Sequence, residues 1–320
     1  MQRKFRSHLT SWRLVTTEVQ ILFSSYSIFC MCRFRNDLLS RLKQCLHIPE
    51  VIRCKNGSRV DGMEALCVML ARCAYPCRFG DMVQMFARSV PQLCLITSYM
   101  IDHIYNFRHL LQTLEQPCLS PENLRLYAAA VQAKGAALQN CWGFVDGTVR
   151  PIRRPSVNQR VAYNGHKRLH ALKYQSVVAA NSLIANLFGP IEGRRHDCYM
   201  LRESGLFAEL DRHSYDPEGN VWCIYGDPAY PLRQQLQCPF KRNITEDQTA
   251  YNHSMSAVQV SVEWLFGDII NIFKFVDLNK NQKIGLSACG KWYIANGLLT
   301  NAHVCLNGYT TMRFFELLDR

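Results

Sequence analysis

Asp146, Asp227 and Glu263 are the residues of this chain whose types and spacing best suit chemistry. Asp146 ends the apolar run in CWGFVDGT, and Asp227 ends a second one in VWCIYGDPAY. Glu263 lies in the helical stretch QVSVEWLFGDII, 36 residues past Asp227. A carboxylate at the end of a buried strand adds nothing to stability, because removing a charge from water is costly unless it is paired. Two strand-end carboxylates and a helical one that converge would repel and share protons. Divalent cations relieve that conflict. Hard oxygen donors suit Mg²⁺ or Mn²⁺, and paired ions of this kind drive in-line phosphoryl transfer in nucleases and polymerases.

Taken singly, each acid has a plainer reading. Asp146 could be the turn residue of an Asp-Gly pair, Asp227 a turn before Pro228, and Glu263 part of a solvated helix face, with Val258, Val262 and Leu265 on other sides. It is their order that points to a metal site. Asp197, after Gly193-Arg194-Arg195-His196, has two open readings: a further metal-shell carboxylate that orders the loop, or an ordinary first-turn helix acid. His196 is a candidate proton shuttle, against the commoner structural role of a lone histidine. A basic cluster of Arg150, Arg153, Arg154, Lys167, Arg168 and Lys173 follows the first aspartate. Such groups contact phosphates and set position rather than sequence; a solvated basic loop is the alternative.

The elements that must position these residues follow from the hydrophobic pattern. Residues 34–125 read as all-helical: Phe34 to Leu46, then GMEALCVMLARCAY with Leu66, Met69, Leu70 and Ala74 on one face, then two helices separated near Ser89-Val90-Pro91. That pair has the spacing of a helix-turn-helix unit, or of a plain bundle. From residue 126 the pattern changes. An amphipathic helix (Leu124 to Leu138) precedes strands at CWGFVDGTV, Tyr174 to Asn181 and Ser182 to Phe188. A helix over HDCYMLRESGLFAEL, a strand at VWCIYGD and a long helix from Ser254 to Ile272 complete an α/β order. If the first and fourth strands lie side by side, Asp146 and Asp227 meet at their carboxyl ends, where open α/β sheets place their ligand sites.

Bulk properties agree with a folded chain that meets a polyanion. At 320 residues, 48% hydrophobic and 19% charged, the chain has the means to bury a sizeable core, and low complexity is excluded. A net charge of +12 favours a nucleic-acid partner. The 15 cysteines are scattered through apolar runs; Cys30-x-Cys32 and Cys73-xxx-Cys77 lack the partner pairs of a zinc site, which points to a reducing compartment. No segment has the length to span a membrane. Ile21 to Cys32, preceded by Arg3, Lys4, Arg6 and Arg13, faintly imitates a signal peptide but follows Glu18 and lacks a cleavage site, so residues 1–33 are read as an extension of unknown role.

Five motifs in order carry a resemblance: Val145-Asp146-Gly147-Thr148, Tyr163-Asn164-Gly165-His166-Lys167-Arg168, Gly193-Arg194-Arg195-His196-Asp197, Gly226-Asp227-Pro228-Ala229-Tyr230 and Val262-Glu263-Trp264-Leu265-Phe266-Gly267. Together they resemble the RNase H-like catalytic domain of DDE transposases, and more closely the PIF/Harbinger superfamily and its derived nucleases. Phe86-Ala87-Arg88-Ser89 is similar to that family's Phe-Gly-Arg-Ser element, so the likeness covers about 280 residues. It implies an RNase H-like mixed sheet over residues 126–320, preceded by a helix-turn-helix-like region over 34–125. It implies an Asp146, Asp227, Glu263 catalytic triad that binds Mg²⁺ or Mn²⁺, with Asp197 as a further candidate ligand, and Lys167, Arg168, Arg153 and Arg154 on DNA phosphates. The reaction implied is hydrolysis of DNA phosphodiester bonds, with strand transfer if the chain is a transposase. The implied partners are DNA and a Myb-like DNA-binding protein, with oligomerisation left open and no membrane. The basic pairs are also of the kind read in nuclear import, which predicts a nuclear protein with a cytoplasmic pool. Two positions depart from the family: Gln259 replaces an arginine four residues before the glutamate, and Ile270 replaces a lysine. Those departures favour a rival from another class, a domesticated and catalytically silent DNA- or protein-binding module. A metal-dependent phosphatase on the same fold is a third reading, disfavoured by the basic surface.

Overall fold

The computed structural model describes residues 32–277, 282–307 and 313–317. All but Cys32 of the apolar N-terminal stretch lies outside them. The chain divides into two compact units: the residues up to Tyr105 together with Ile272–Phe275, and Asn106–Asn271 with the chain from Val276 onward. No described helix is long and apolar enough to cross a membrane.

In the first unit, α1 (Asn36–Cys45) leads to a two-stranded antiparallel hairpin, β1 (Val51–Arg53) and β2 (Arg59–Asp61). The expectation of an all-helical stretch over 34–125 is therefore corrected. The strands are three residues each, too short for periodicity to reveal, but Asn56-Gly57 between them is a hairpin signal. Helix α2 (Gly62–Ala74) starts where the Asp61 side chain accepts the Met63 N–H at 2.8 Å and the Glu64 N–H at 3.2 Å. It buries Ala65, Leu66, Val68, Met69, Leu70, Ala71, Cys73 and Ala74, a wider face than one amphipathic stripe. Helices α3 (Phe79–Phe86) and α4 (Val90–Tyr105) follow, separated by Ala87-Arg88-Ser89. Arg88 serves the fold there: its guanidinium donates to both Glu64 oxygens at 2.7 Å and to the Arg59 carbonyl at 3.1 Å.

The second unit is a mixed α/β layer. After α5 (Pro121–Ala133), capped by Ser120, strand β3 (Cys141–Pro151) enters the sheet. Then come a short α6 (Gln159–Ala162), β4 (Tyr163–Asn164), β5 (Leu169–Ala179) and β6 (Ile184–Glu192). Next are α7 (Asp197–Glu203), α8 (Leu206–His213), β7 (Cys223–Gly226), β8 (Leu236–Gln237), α9 (Glu246–Ile272) and α10 (Cys289–Asn307). The sheet order is β4-β5-β3-β7-β8, and β6 also pairs with β5. β3 runs antiparallel to β5 and parallel to β7, so the expected first and fourth strands are neighbours. The first five residues of β3 are buried, as a central strand covered on both faces demands. Trp142, Phe144, Tyr174, Tyr225 and Tyr293 are among the largest side chains of that core.

Two helix boundaries differ from the sequence expectation. HDCYMLRESGLFAEL is two helices, because Gly205 adopts φ +67° and the Ser204 hydroxyl accepts the Leu206 N–H to start α8. α9 begins eight residues before Ser254. Thr245 Oγ1 accepts the Gln248 N–H at 3.3 Å while Gln248 Oε1 accepts the Thr245 N–H at 3.1 Å, a reciprocal capping box legible as Thr-x-x-Gln.

Candidate active site

The β3–β7 register determines where the first two acids sit. Val145 pairs with Gly226, so Asp146 and Asp227 are the next residues on adjacent parallel strands. Each carboxylate engages its own turn. Asp146 Oδ1 accepts the Gly147 N–H at 2.6 Å, and Asp227 Oδ1 accepts the Ala229 N–H at 2.9 Å. The second oxygen of each has no hydrogen bond among the described residues.

Burial pushes the Asp146 carboxyl up to about 6; the Gly147 N–H opposes this, while the negative charges of Asp227, Glu263 and Asp197 add to it. Asp227 is also raised, chiefly by burial, with Asp197 adding to the rise and Ala229 N–H, Lys241 and Lys173 restraining it. All three of the other carboxylates are thus within electrostatic reach of Asp146. Glu263 is exposed on α9, whose opposite stripe buries Met255, Val258, Leu265, Phe266 and Ile269. Two contacts anchor the first turns of α9, one on the loop after β8 and one that reaches β7. Asn252 Oδ1 accepts the Phe240 N–H at 2.9 Å and its amide donates to the Phe240 carbonyl at 3.0 Å. The Tyr251 ring then meets both Phe240 and Tyr225, the latter two residues before Asp227.

Asp197 opens α7 and faces the sheet. Lys173 Nζ donates to its Oδ1 at 2.5 Å and to the Arg195 carbonyl at 3.0 Å. Lys173 is buried, so its expected place in a phosphate-binding surface cluster is corrected: a lysine six residues past the Asn164–Lys167 turn points inward from β5. Gly147 is what lets Asp197 come so close, since a Cβ there would lie 3.0 Å from Asp197 Oδ1. Cys198 Sγ donates to the Ala229 carbonyl at 2.7 Å and joins α7 to the Asp227 turn. Arg150 is also turned inward. Its Nη2 donates to Thr148 Oγ1 and its guanidinium lies over the Tyr293 ring. His196 is exposed at the N-cap of α7 and makes no side-chain cap bond.

Two residues at the acids carry roles the sequence did not suggest. Lys241 donates from Nζ to the Pro228 carbonyl, beside Asp227. It lies in PFKRN, the segment between Asp227 and α9, and a basic pair in a loop gave no signal. Tyr230 is buried, and its hydroxyl has no partner among the described residues. Burial and then the charges of Asp197, Asp146 and Asp227 push that phenol well above its ordinary range, so it stays protonated. The remaining expected phosphate contacts, Arg153, Arg154, Lys167 and Arg168, are exposed but not at the acids; they lie at the far end of the β3–β5 hairpin.

The donor set fits a hard divalent cation in its chemistry. Asp146 and Asp227 offer carboxylate oxygens from adjacent strands, and the raised Asp146 shows an anion that a cation would relieve. No closed group of three His, Cys, Asp or Glu is preformed among the described residues.

Residues 145–301 match the model of the family described as DDE superfamily endonuclease. That stretch, just under half of the chain, is similar to the DDE superfamily endonucleases. It includes Asp146, Asp197, Asp227 and Glu263, and endonucleases of the superfamily generally use divalent metals. The chain is also similar to the probable transposase for insertion sequence element IS702 of Microchaete diplosiphon, 26% identical over 146 residues. The alignment covers 44% of this chain and 51% of that protein, so the chain spans about half the length of the curated relative it matches. No solved structure matches the chain.

Proposed function

We propose that this chain is a divalent-metal-dependent DNA endonuclease of transposase type, of PIF/Harbinger affinity, in which Asp146, Asp227 and Glu263 form the acidic triad. The observation that carries the reading is the parallel register that sets Asp146 beside Asp227, with Glu263 in electrostatic reach. Mg²⁺ or Mn²⁺ held there would supply charge neutralisation at the phosphate and an activated oxygen nucleophile. Asp146 and Asp227, each with one oxygen left over from its turn, are the residues that would hold the ion. Lys173 holds Asp197 over Gly147, which favours Asp197 as an orienting, charge-balancing neighbour over a metal ligand. Lys241 holds the Pro228 carbonyl and so the turn that aims Asp227. A Myb-like DNA-binding partner and nuclear residence are part of the same reading.

The test is nicking of supercoiled plasmid by the purified chain in Mn²⁺, with and without such a partner, against Asp227→Ala. Loss of nicking in the variant supports the nuclease. Folded, DNA-binding protein that nicks under no condition sinks it in favour of the silent binding module. Gln259, Ile270 and the absence of a preformed metal group among the described residues favour that second reading.

A further inference from the structure

The β3–β5 hairpin continues well beyond the acids. Asp146 lies opposite Ser176, and pairing runs five residues further to Pro151 opposite Ala171. Ile152 N–H to the His170 carbonyl at 2.9 Å extends it once more. Pairing with β7 stops at Val145 opposite Gly226. At about 3.3 Å per residue, the end of the hairpin is roughly 17 Å from Asp146.

Three loops, separate in sequence, meet at that end. The exit of β3 brings Arg153 and Arg154, α6 brings Arg160, the β4–β5 turn brings Lys167 and Arg168, and the exit of β6 brings Arg194. One backbone bond and two made by the Asn164 side chain stitch them together. The Arg194 N–H donates to the Val161 carbonyl at 3.3 Å, the Asn164 amide donates to the Gly193 carbonyl at 2.8 Å, and Asn164 Oδ1 accepts the Lys167 N–H at 2.8 Å. All six basic side chains are exposed. Between Pro151 and Arg195 there is a single acid, Glu192, and it is engaged by Arg195. None of the six has a carboxylate partner among the described residues. Several exposed cations elsewhere do have one: Arg35 with Asp37, Arg125 with Glu218, Arg202 with Glu203 and Arg212 with Glu209. An unneutralised cluster built from three tied loops is shaped for an external polyanion.

We propose that this hairpin tip clamps the sugar–phosphate backbone of duplex DNA about five base pairs from the phosphodiester presented to the acids. The spacing is the 17 Å of hairpin divided by the rise of about 3.4 Å per base pair; it rests on the nuclease reading, whereas the DNA contact does not. Single strands are gripped by rows of stacking aromatics. The tip exposes Tyr163, whose ring is met edge-on by His170 at 5.5 Å, so duplex backbone is the better fit.

The first experiment is binding of the full chain to a labelled 30-base-pair duplex of arbitrary sequence, in EDTA, across salt concentrations. Lys167→Ala/Arg168→Ala and Arg153→Ala/Arg154→Ala are each expected to weaken binding more than tenfold at low salt. Each is also expected to reduce the slope of log K against log salt by about 1–2, at about 0.9 per phosphate contact. Arg125→Ala, on α5, should leave both unchanged. Unaltered melting curves would exclude misfolding. Tip variants with wild-type affinity and slope overturn the clamp, and binding of an RNA duplex as tight as DNA overturns the choice of partner. The second arm maps nicks on end-labelled duplexes in Mn²⁺. Wild type should spare about the last five base pairs on one side of the cut, and the Lys167→Ala/Arg168→Ala variant should lose that dependence. Nicks with no such end effect overturn the spacing. Tip-dependent binding without any nicking upholds the clamp and counts against the nuclease alone.

Discussion

Burial, with the negative charges of Asp227, Glu263 and Asp197, lifts the Asp146 carboxyl from an ordinary 3.8 to about 6. The stability consequence has a definite sign. Below about pH 3.8 the group is protonated whether the chain is folded or unfolded and contributes nothing. Between 3.8 and 6 the unfolded chain gives up the proton that the folded chain keeps, so metal-free stability falls as pH rises, and above 6 the whole penalty is present. Asp146→Asn keeps an oxygen for the Gly147 N–H and removes the charge. In EDTA it should be more stable than wild type by about 1–3 kcal/mol at pH 7.5 and equal to it near pH 3.5, as read by urea titration. Adding Mn²⁺ at pH 7.5 should raise the melting temperature of the wild type and leave Asp146→Asn unmoved; an equal rise in both would remove Asp146 from the metal site. Lys173 gives a complementary prediction. Lys173→Met leaves Asp197 without its cation and should cost about 2–4 kcal/mol, because one partner of a mostly buried ion pair is removed. Lys173→Met/Asp197→Asn should regain part of that loss, and additive losses in the double variant would show that the pair is not coupled.

At the scale of elements, the strands that carry Asp146 and Asp227 were legible because their apolar runs are too continuous for anything but buried strands. Their adjacency was legible only as a condition, since register depends on pairing that no local pattern states. Lys173 was misplaced for a related reason. In HKRLHALK it reads as one of a basic group, but it stands on β5, where position along the pleat turns it inward to Asp197. The start of α9 and the β1–β2 hairpin had signals, Thr245 with Gln248 and Asn56 with Gly57, that were shorter than a periodicity window. The end of α3 shows a further local conflict. Ala87 sits in the left-handed region at φ +49°, ψ 33°, where an L side chain strains the backbone and glycine does not. Ala87→Gly should therefore stabilise the chain by about 0.5–1 kcal/mol, the relief of strain exceeding the added entropy of the unfolded chain. A lower melting temperature for that variant would mean that the Ala87 methyl packs usefully.

For the molecule as a whole, the two charge features of the second unit have opposite signs and separate tasks. Acids gather where β7 ends beside the middle of β3, and unpaired cations gather at the tip of the β3–β5 hairpin, so much of the chain's +12 lies along the 151–195 segment. If the tip binds and the acids cut, salt should act on the two differently. Counterion release makes phosphate binding weaken steeply with salt, whereas half-buried carboxylates such as Asp146 and Asp227 are screened less. Raising NaCl from about 50 to 200 mM in the presence of Mn²⁺ should raise KM for plasmid by at least tenfold with three phosphates contacted, while kcat changes little. Asp227→Ala should abolish kcat at every salt concentration yet bind DNA with the wild-type salt slope. The reverse pattern, in which salt lowers kcat and leaves KM alone, would place the screened charges at the chemical step. It would make Lys241, beside Asp227, the first residue to substitute.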